Sequence, residues 1–266
     1  MKRLLYLCIA LTLTPSLVVA GGVRLRYGFA PGQKWEYTRK TQMNFENMGT
    51  TSVTRQKYTI SYAVAKGPKK NWVRLTAQYV NPPARTPENQ YTLGRYDLIF
   101  SADVHTSGKI RNIQVQGADK AINDPSITPQ QKMAMVQIKK EDAQRLQPEV
   151  FWFPELPDDS LEPGDEFEEK RTHVVKDSNM TEQSKTRTVY ALYDVSEGLA
   201  YFETKARHAS KVNTQGGKMD HDSSGKGEII FDLKKGMWIE LIRKWKAKYP
   251  GGIEMLSITK ITMERR

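Results

Sequence analysis

The sequence predicts a mainly β protein, internally duplicated, whose strands form a strongly curved, half-barrel-like antiparallel sheet with a short helical insert between the repeats. Three observations predict it: runs in which polar and apolar residues alternate, Gly-containing turns between those runs, and the same order of runs in both halves of the chain. Alternation with a period of two places the apolar side chains on one face of a strand. Regular strands separated by such turns favour antiparallel pairing.

The repeat begins at a Pro-Gly turn in each half. Residues 31–37 read Pro-Gly-Gln-Lys-Trp-Glu-Tyr, and residues 163–169 read Pro-Gly-Asp-Glu-Phe-Glu-Glu. A tyrosine-rich run, a second alternating run, an Ile-Phe run and a Gly-led run then follow in the same order. They lie at 58–62, 72–80, 99–100 and 108–110 in the first half, and at 190–193, 199–206, 230–231 and 236–238 in the second. We therefore predict a first β repeat over 22–127 and a second over 156–266.

Residues 1–20 predict a secretory signal peptide. Lys2 and Arg3 precede a short apolar core, and Ala20 ends a small-residue cleavage sequence. The only cysteine, Cys8, lies inside that core, whereas a lipid-attachment cysteine would stand at the cleavage point. We expect an exported protein, periplasmic or extracellular, that is not lipid-anchored and has neither disulfides nor a cysteine metal site.

Several predicted strands have one apolar face each. The sets are Tyr58, Ile60, Tyr62 and Val64; Val73, Leu75, Ala77 and Tyr79; Val189, Ala191, Tyr193 and Val195; and Met237, Ile239, Leu241, Arg243, Trp245, Ala247 and Tyr249. On the last strand Trp238 and Ile242 oppose this set, so we expect a cover on both faces of the sheet. A final strand is predicted over 253–263.

A helical linker and connector are predicted over 128–155. Thr128 can act as the N-cap, and Gln131 stands where a capping box needs its partner. A second short helix is predicted over 141–146, ending before Pro148. The apolar, proline-bounded run 151–157 that follows is expected to dock on the sheet.

Two segments have the composition of loops. Residues 81–89 contain three prolines, and residues 213–226 are rich in Gly, Ser and Asp.

No motif predicts an enzyme. The chain lacks a helix-spaced histidine pair, a Gly-x-Ser-x-Gly elbow and a glycine-rich phosphate loop. Asp220–Ser224 could ligate a divalent ion, but a solvated hairpin loop is the simpler interpretation. The carboxylates between Glu155 and Glu169 could perform acid/base hydrolysis if the fold made two of them face each other. We predict no cofactor and no metal site, and keep a glycan hydrolase as an alternative.

The charge balance is basic. The full chain has a formal charge of +11, and basic residues concentrate at 243–248 and 265–266. Such a surface is either an ordinary solvated strand face or an attractor of anionic lipid or polysaccharide. Nucleic acid is not expected as a partner, because the chain is exported and has no evident groove-reading helix.

The segment Tyr27–Tyr37 and the segment Phe153–Pro157 with its following Pro-Gly-Asp-Glu-Phe turn resemble a domain-of-unknown-function family of exported bacterial envelope proteins, many of them lipoproteins. That family is similar to the half-barrel envelope carriers that hold lipoprotein acyl chains or lipids. The resemblance implies a half-barrel fold and an envelope role, and it implies no catalytic residues. The absence of a cysteine at the cleavage point departs from the lipoprotein members.

These observations favour non-enzymatic binding of an apolar or lipid-like ligand on a concave aromatic face. The expected ligand-binding residues are Tyr62, Tyr79, Phe100, Tyr193, Phe231 and Trp238. The alternative is a structural or protein-interaction module with an envelope protein partner. In that case the core or the partner would cover the apolar faces. A cavity would favour binding, and a filled interior would favour the alternative.

Overall fold

A computed structural model describes residues 22–47, 50–80, 98–117, 122, 125, 128–176, 180–214, 216–249 and 253–265. The predicted signal peptide, Cys8 and the predicted loop 81–89 therefore lie outside the described residues. The strands are β1 Lys34–Asn47, β2 Thr50–Lys66, β3 Trp72–Val80, β4 Leu98–His105, β5 Ile110–Gly117, β6 Glu166–Lys176, β7 Met180–Ser196, β8 Leu199–Thr214, β9 Gly217–Asp232, β10 Met237–Tyr249 and β11 Ile253–Arg265, and helix α1 spans Pro129–Val150.

The described strands form a single antiparallel sheet of 11 strands in the order β5-β4-β3-β2-β1-β11-β10-β9-β8-β7-β6. The two halves share this sheet because β1 pairs with β11, in a register that runs from Trp35 opposite Arg265 to Glu46 opposite Glu254. β5 and β6 are the edges, so the sheet is open. The predicted mainly β, curved antiparallel fold with a helical insert is confirmed. We call the side that carries the core the concave face and the other side the convex face.

The Pro-Gly turns at the start of the two halves have the same hydrogen bonds. Gly32 N–H donates to the Val64 carbonyl at 2.9 Å, and Gly164 N–H donates to the Leu192 carbonyl at 2.7 Å. Both glycines have positive φ, 89° and 103°, a region that L-residues with a side chain rarely adopt. The sequence repeat between these turns therefore corresponds to a repeat of local structure.

Helix α1 begins as predicted, because the Thr128 side chain accepts from Gln131 N–H and the Gln131 side chain accepts from Thr128 N–H. The predicted break is wrong: one helix continues to Val150, with Pro148 in its last turn. A proline there deprives only the Gln144 carbonyl of an intrahelical donor. The helix therefore reaches the connector without interruption.

The loop predicted over 213–226 is also wrong, since β8 continues to Thr214 and β9 starts at Gly217. Gly225, in this segment, and Gly227, just after it, allow close approach between strands. A Cβ on Gly227 would lie 2.2 Å from the Ile242 carbonyl oxygen, and a Cβ on Gly225 would lie 2.8 Å from the Trp245 ring.

Two predicted strand faces are wrong in part. On β10 a register shift between Trp238 and Glu240 turns Trp238 to the concave face, where it is fully buried. On β7 the buried apolar residues are Tyr190 and Leu192, so the predicted set that began at Val189 has the opposite orientation. Both strands carry apolar residues at odd and at even positions. Alternation in the sequence therefore does not show which face of these strands is buried.

The core fills one end of the concave face. The N-terminal segment contributes Leu25, Tyr27 and Phe29, and the connector after α1 contributes Phe151, Phe153 and Leu156, all buried. The expectation that the connector docks on the sheet is confirmed. Beyond this filled end, β1, β2 and β7–β11 extend as a longer part of the concave face.

Candidate functional site

Five of the six residues predicted to bind a ligand lie together in the core. Tyr62, Phe100, Phe231 and Trp238 are at most 1% exposed, and Tyr79 is 4% exposed. They belong to one cluster of buried apolar side chains.

Tyr193 lies apart from the other five. It is 50% exposed and packs on Tyr201 on the convex face, because β7 buries Tyr190 and Leu192 and alternation turns the next residue outward. The structure therefore does not bring the six side chains onto one surface.

Protein groups, rather than open space, surround the five buried residues. Tyr62 Oη donates to the Val150 carbonyl at 2.7 Å, and Trp238 Nε1 donates to Tyr27 Oη at 2.7 Å. Burial raises the pKa of Tyr62 well above its usual value, so its hydroxyl stays protonated. A charged substitution at Tyr62 or Trp238 would therefore report on folding before it reported on a ligand.

A cavity of about 240 Å³ opens on the concave face next to this filled end. One wall comes from β1 and β2, the other from β6 and β7, and the floor from β10 and β11. The end of α1 and Trp152 cover it. The residues that line it are Tyr37, Arg39, Tyr58, Ile60, Pro148, Glu149, Trp152, Glu169, Arg171, Thr186, Thr188, Tyr190, Leu241, Arg243, Trp245, Thr259 and Ile261.

Arg243 is the distinctive group in this cavity. Its Nε atom is buried and has no hydrogen-bond partner among the described residues. No described carboxylate lies within ion-pair distance of it. Burial, the largest effect, lowers the pKa of Arg243 and the charge of Arg39 lowers it further, whereas Tyr190 and the more distant carboxylate of Glu169 act in the opposite direction. A guanidinium remains charged in proteins, so the cavity holds a cation that the protein only partly neutralises.

The other two arginines of the cavity, Arg171 and Arg39, each have a carboxylate partner. Arg171 donates to Glu169 at 2.8 Å and to the Phe153 carbonyl at 2.7 Å, so it holds the connector against β6. Arg39 lies 3.7 Å from the Glu149 carboxylate. Two carboxylates therefore face three guanidinium groups, and Arg243 is the one without an ion pair among the residues described.

The aromatic rings of the cavity flank these cations. The Arg243 guanidinium lies 5.7 Å from the centre of the Trp245 ring, and that of Arg39 lies 5.7 Å from the centre of the Tyr58 ring. The Trp245 ring lies against Gly225, where any side chain would displace it. The site can therefore offer an anion a guanidinium and offer an adjoining apolar group aromatic surface.

The acidic cluster 155–169 is distributed among ion pairs. Glu169 pairs with Arg171, Asp158 with Arg26 at 2.9 Å, and Glu155 with Lys109 at 3.3 Å.

Glu168 pairs with both Lys170 and Arg187. The hydrogen bonds from Arg187 and Lys170 lower the pKa of Glu168, which is opposite to what a general acid at neutral pH requires. The cluster therefore offers no argument for hydrolysis.

The predicted oxygen and nitrogen cluster on β9 is split between two faces. His221 points to the concave face and stacks on Tyr249, with 4.5 Å between the ring centres. Asp220 and Asp222 point to the convex face, because side chains alternate along the strand. No group of three metal-ligating side chains occurs within the residues that the structure describes.

The alternating pattern places Arg243 and Trp245 on one face of β10 with Leu241, but neither is among the six residues predicted to bind a ligand. The available signal was an arginine at an inward position of an otherwise apolar alternation, where a charge requires a partner. Arg39, Tyr58 and Tyr190 reach the cavity from other strands, and no local pattern marks them.

No protein-family model matches the chain, and no curated protein sequence does. The family resemblance read from the sequence therefore stays a prediction. No helix in the described part of the chain is long and apolar enough to cross a membrane.

The chain is similar to several solved structures. The β domain of the Bordetella autotransporter Brka is 10% identical, with a TM-score of 0.44, over 89% of this chain and 100% of that one. Lipovitellin is 13% identical, with a TM-score of 0.34, over 89% of this chain and 25% of that one. A Bacteroides fragilis protein with a YmcC-like fold is 8% identical, with a TM-score of 0.28, over 88% of this chain and 97% of that one. At these identities and TM-scores the likenesses carry no functional argument.

Proposed function

We propose that this chain is a non-enzymatic protein of the cell envelope that binds an amphipathic, lipid-like ligand, and that the anionic end of the ligand lies in the cavity beside Arg243. The observation that carries the proposal is the guanidinium of Arg243, which is placed among aromatic rings without a carboxylate of its own within the described residues. Arg243 is half-buried, and a charge that is partly withdrawn from water is costly unless it is paired. An anionic ligand would supply the ion pair that the described residues do not give to Arg243.

The size of the cavity favours insertion of one end of a ligand. About 240 Å³ is smaller than the roughly 300–1,000 Å³ typical of sites that enclose a drug-sized molecule. A carboxylate or phosphate with the first part of an apolar chain fits that space. The remainder of the ligand would then lie along the concave face beyond the filled end.

The six residues predicted from the sequence have a different place in this proposal. Five of them belong to the core that holds the connector in position, and the side chains that line the cavity contact the ligand. The ligand is still placed on the concave face, as predicted. Its contacts are now at the part of that face that the core does not fill.

A structural or protein-interaction module is the second candidate, and the filled core around Trp238 favours it. In that case its aromatic side chains would all be buried by packing, and the cavity would hold only solvent.

Native mass spectrometry with lipid extraction, on the protein purified gently from an exporting host, separates the two candidates. Arg243→Gln is the test variant, and Lys57→Gln is the matched control, because Lys57 precedes the cavity residue Tyr58 on β2 and is exposed on the convex face. We expect an amphipathic adduct of anionic character on the wild type and on Lys57→Gln, and its loss from Arg243→Gln. A clean mass for all three favours the interaction module. An adduct that survives in folded Arg243→Gln contradicts the site.

A further inference from the structure

The convex face of the second half carries a set of exposed cations that form no ion pair with any residue that the structure describes. Lys205 on β8, Lys226 on β9 and Lys244 on β10 lie directly opposite one another in register, so that they form one row across three strands. Arg207 and Lys246 flank Ser224 in the next row. We call these five residues the convex basic patch.

All five side chains are exposed, and none has an ion pair within the part of the chain that the structure describes. Their place on the convex face follows from alternation, since Thr204, Ala206 and Ala247 beside them are buried. The next cation in the second row, Arg187, differs because Glu168 neutralises it. The second row therefore has unpaired cations on β8 and β10 and a paired cation on β7.

Stability does not explain this arrangement. Like charges directly opposite on neighbouring strands destabilise a sheet. Neighbouring strands lie about 4.8 Å apart, and successive residues on one face of a strand lie about 6.8 Å apart. Five cations therefore share an area only about 10 Å by 7 Å at the backbone, and a multivalent anion would relieve their repulsion.

We propose that the convex basic patch docks the protein on an anionic phospholipid surface. A groove of about 550 Å³ lies between the patch side chains, with Ser224 in its lining, and gives phosphate groups access to the cations. The five cations are exposed, and no buried polar group among the described residues holds any of them. This arrangement suits many mobile headgroups better than one oriented molecule.

The same face carries an exposed aromatic pair. Tyr193 is 50% exposed and its ring lies 6.1 Å from that of Tyr201, which stands four positions before Lys205 on β8. Tyrosine is enriched where proteins meet the headgroup layer of a membrane. Glu203 and Glu228 lie opposite each other between the lysine row and this pair and bound the patch on that side.

Co-flotation with vesicles tests the proposal. One set of vesicles is phosphatidylcholine alone, and the other contains phosphatidylglycerol at about 30%. The test variant is Lys205→Gln/Lys226→Gln/Lys244→Gln. The control variant is Lys40→Gln/Lys57→Gln/Lys260→Gln, which removes the same charge from three exposed lysines that form a row across β2, β1 and β11. Of these, Lys260 is paired with Glu240.

We expect the wild type to float only with the anionic vesicles and to be released by salt. Each cation near such a surface contributes about fivefold in binding, so the test variant should bind on the order of a hundredfold more weakly. The control should remain within about threefold of the wild type. Unfolding midpoints close to that of the wild type establish that both variants are folded.

Three results would overturn the proposal: no flotation of the wild type, equal losses in the two variants, or retention on a sulfated glycan without flotation. The last result would assign the patch to a polyanionic glycan. Arg243→Gln should float like the wild type, so the outcome is separate from the test of the proposed ligand site.

Discussion

Trp238 Nε1 donates a 2.7 Å hydrogen bond to Tyr27 Oη, and the Tyr27 hydroxyl donates in turn to the Pro154 carbonyl at 2.9 Å. This chain of two hydrogen bonds joins β10, the N-terminal segment and the connector inside the core. All three residues are buried, so each polar group depends on its partner in the chain. The filled end of the concave face is thus closed by specific contacts between segments that are distant in sequence.

Tyr27→Phe should lower the free energy of unfolding by about 2–4 kcal/mol. The substitution leaves the Trp238 indole N–H and the Pro154 carbonyl without their partner, and each buried unsatisfied group costs roughly 1–3 kcal/mol. Urea denaturation measures the change. Tyr193→Phe, which removes an exposed hydroxyl, should remain within about 0.5 kcal/mol of the wild type. Similar small changes in both variants would show that the chain of hydrogen bonds does not stabilise the core.

Arg243→Met should leave the stability of the ligand-free protein unchanged or raise it by about 1 kcal/mol. The substitution removes a half-buried cation that has no ion pair among the described residues and supplies an apolar side chain of similar length. Denaturation of ligand-free protein is the measurement. A loss of more than about 2 kcal/mol would mean that the hydrogen bond between Arg243 and Tyr190 is structural, and would weaken the ligand interpretation.

Gly225→Ala should displace the Trp245 ring. A methyl group at Gly225 would lie 2.8 Å from Trp245 Cδ2, so the ring has to move and the floor of the cavity changes. We expect a shift of the Trp245 resonance in fluorine NMR of fluorotryptophan-labelled protein and a destabilisation of about 1–3 kcal/mol. Gly216→Ala is the control, because its Cβ would meet nothing closer than Thr214 Oγ1 at 3.7 Å. An unmoved Trp245 resonance in Gly225→Ala would contradict the packing.

The stability of the protein should fall as the pH drops below about 6.5. Burial lowers the pKa of His208 from 6.5, and the nearby His221 lowers it further. Below pH 6.5 the unfolded chain therefore takes up a proton that the folded protein binds less readily, and the free energy of unfolding decreases until the folded pKa is reached. His105 and His173 have lowered pKa values as well, chiefly through burial, and act in the same direction.

His208→Gln should make that decline shallower between about pH 7 and pH 5, because one of the contributing groups is removed. Denaturation at several pH values in this range gives the two slopes. The variant keeps a hydrogen-bonding side chain near Thr186, whose hydroxyl lies 2.9 Å from His208 Nδ1. Identical slopes for the two proteins would show that the pKa of His208 is not lowered by folding.

Local patterns in the sequence predict most of the elements. The strand Trp72–Val80 has the predicted bounds, and the N-cap at Thr128 forms the predicted capping box. These features depend on residues close together in the chain. The register shift at Trp238 and the buried face of β7 could not be predicted, because tertiary packing decides between two apolar faces that the sequence leaves equivalent.

The candidate site depends on contacts that no local pattern encodes. Arg39 and Arg243 meet because β1 pairs with β11 and β11 pairs with β10, which joins the two ends of the chain in one sheet. Tyr190 joins them from across the concave face. An inward arginine on β10 could be noticed in the sequence, but its missing partner becomes visible only when the surrounding strands are in place.

Titration calorimetry of the ligand-free protein with dodecanoate and with dodecanol tests the central claim most directly, because the two probes share a chain and differ in the charge of one end. The proposal predicts that the wild type binds dodecanoate more tightly than dodecanol, and that Arg243→Gln loses roughly tenfold or more of the affinity for dodecanoate alone, since a hydrogen bond to a charged group contributes about 1.5–3 kcal/mol. Equal affinities for both probes, or a dodecanoate affinity that Arg243→Gln leaves unchanged, would contradict it.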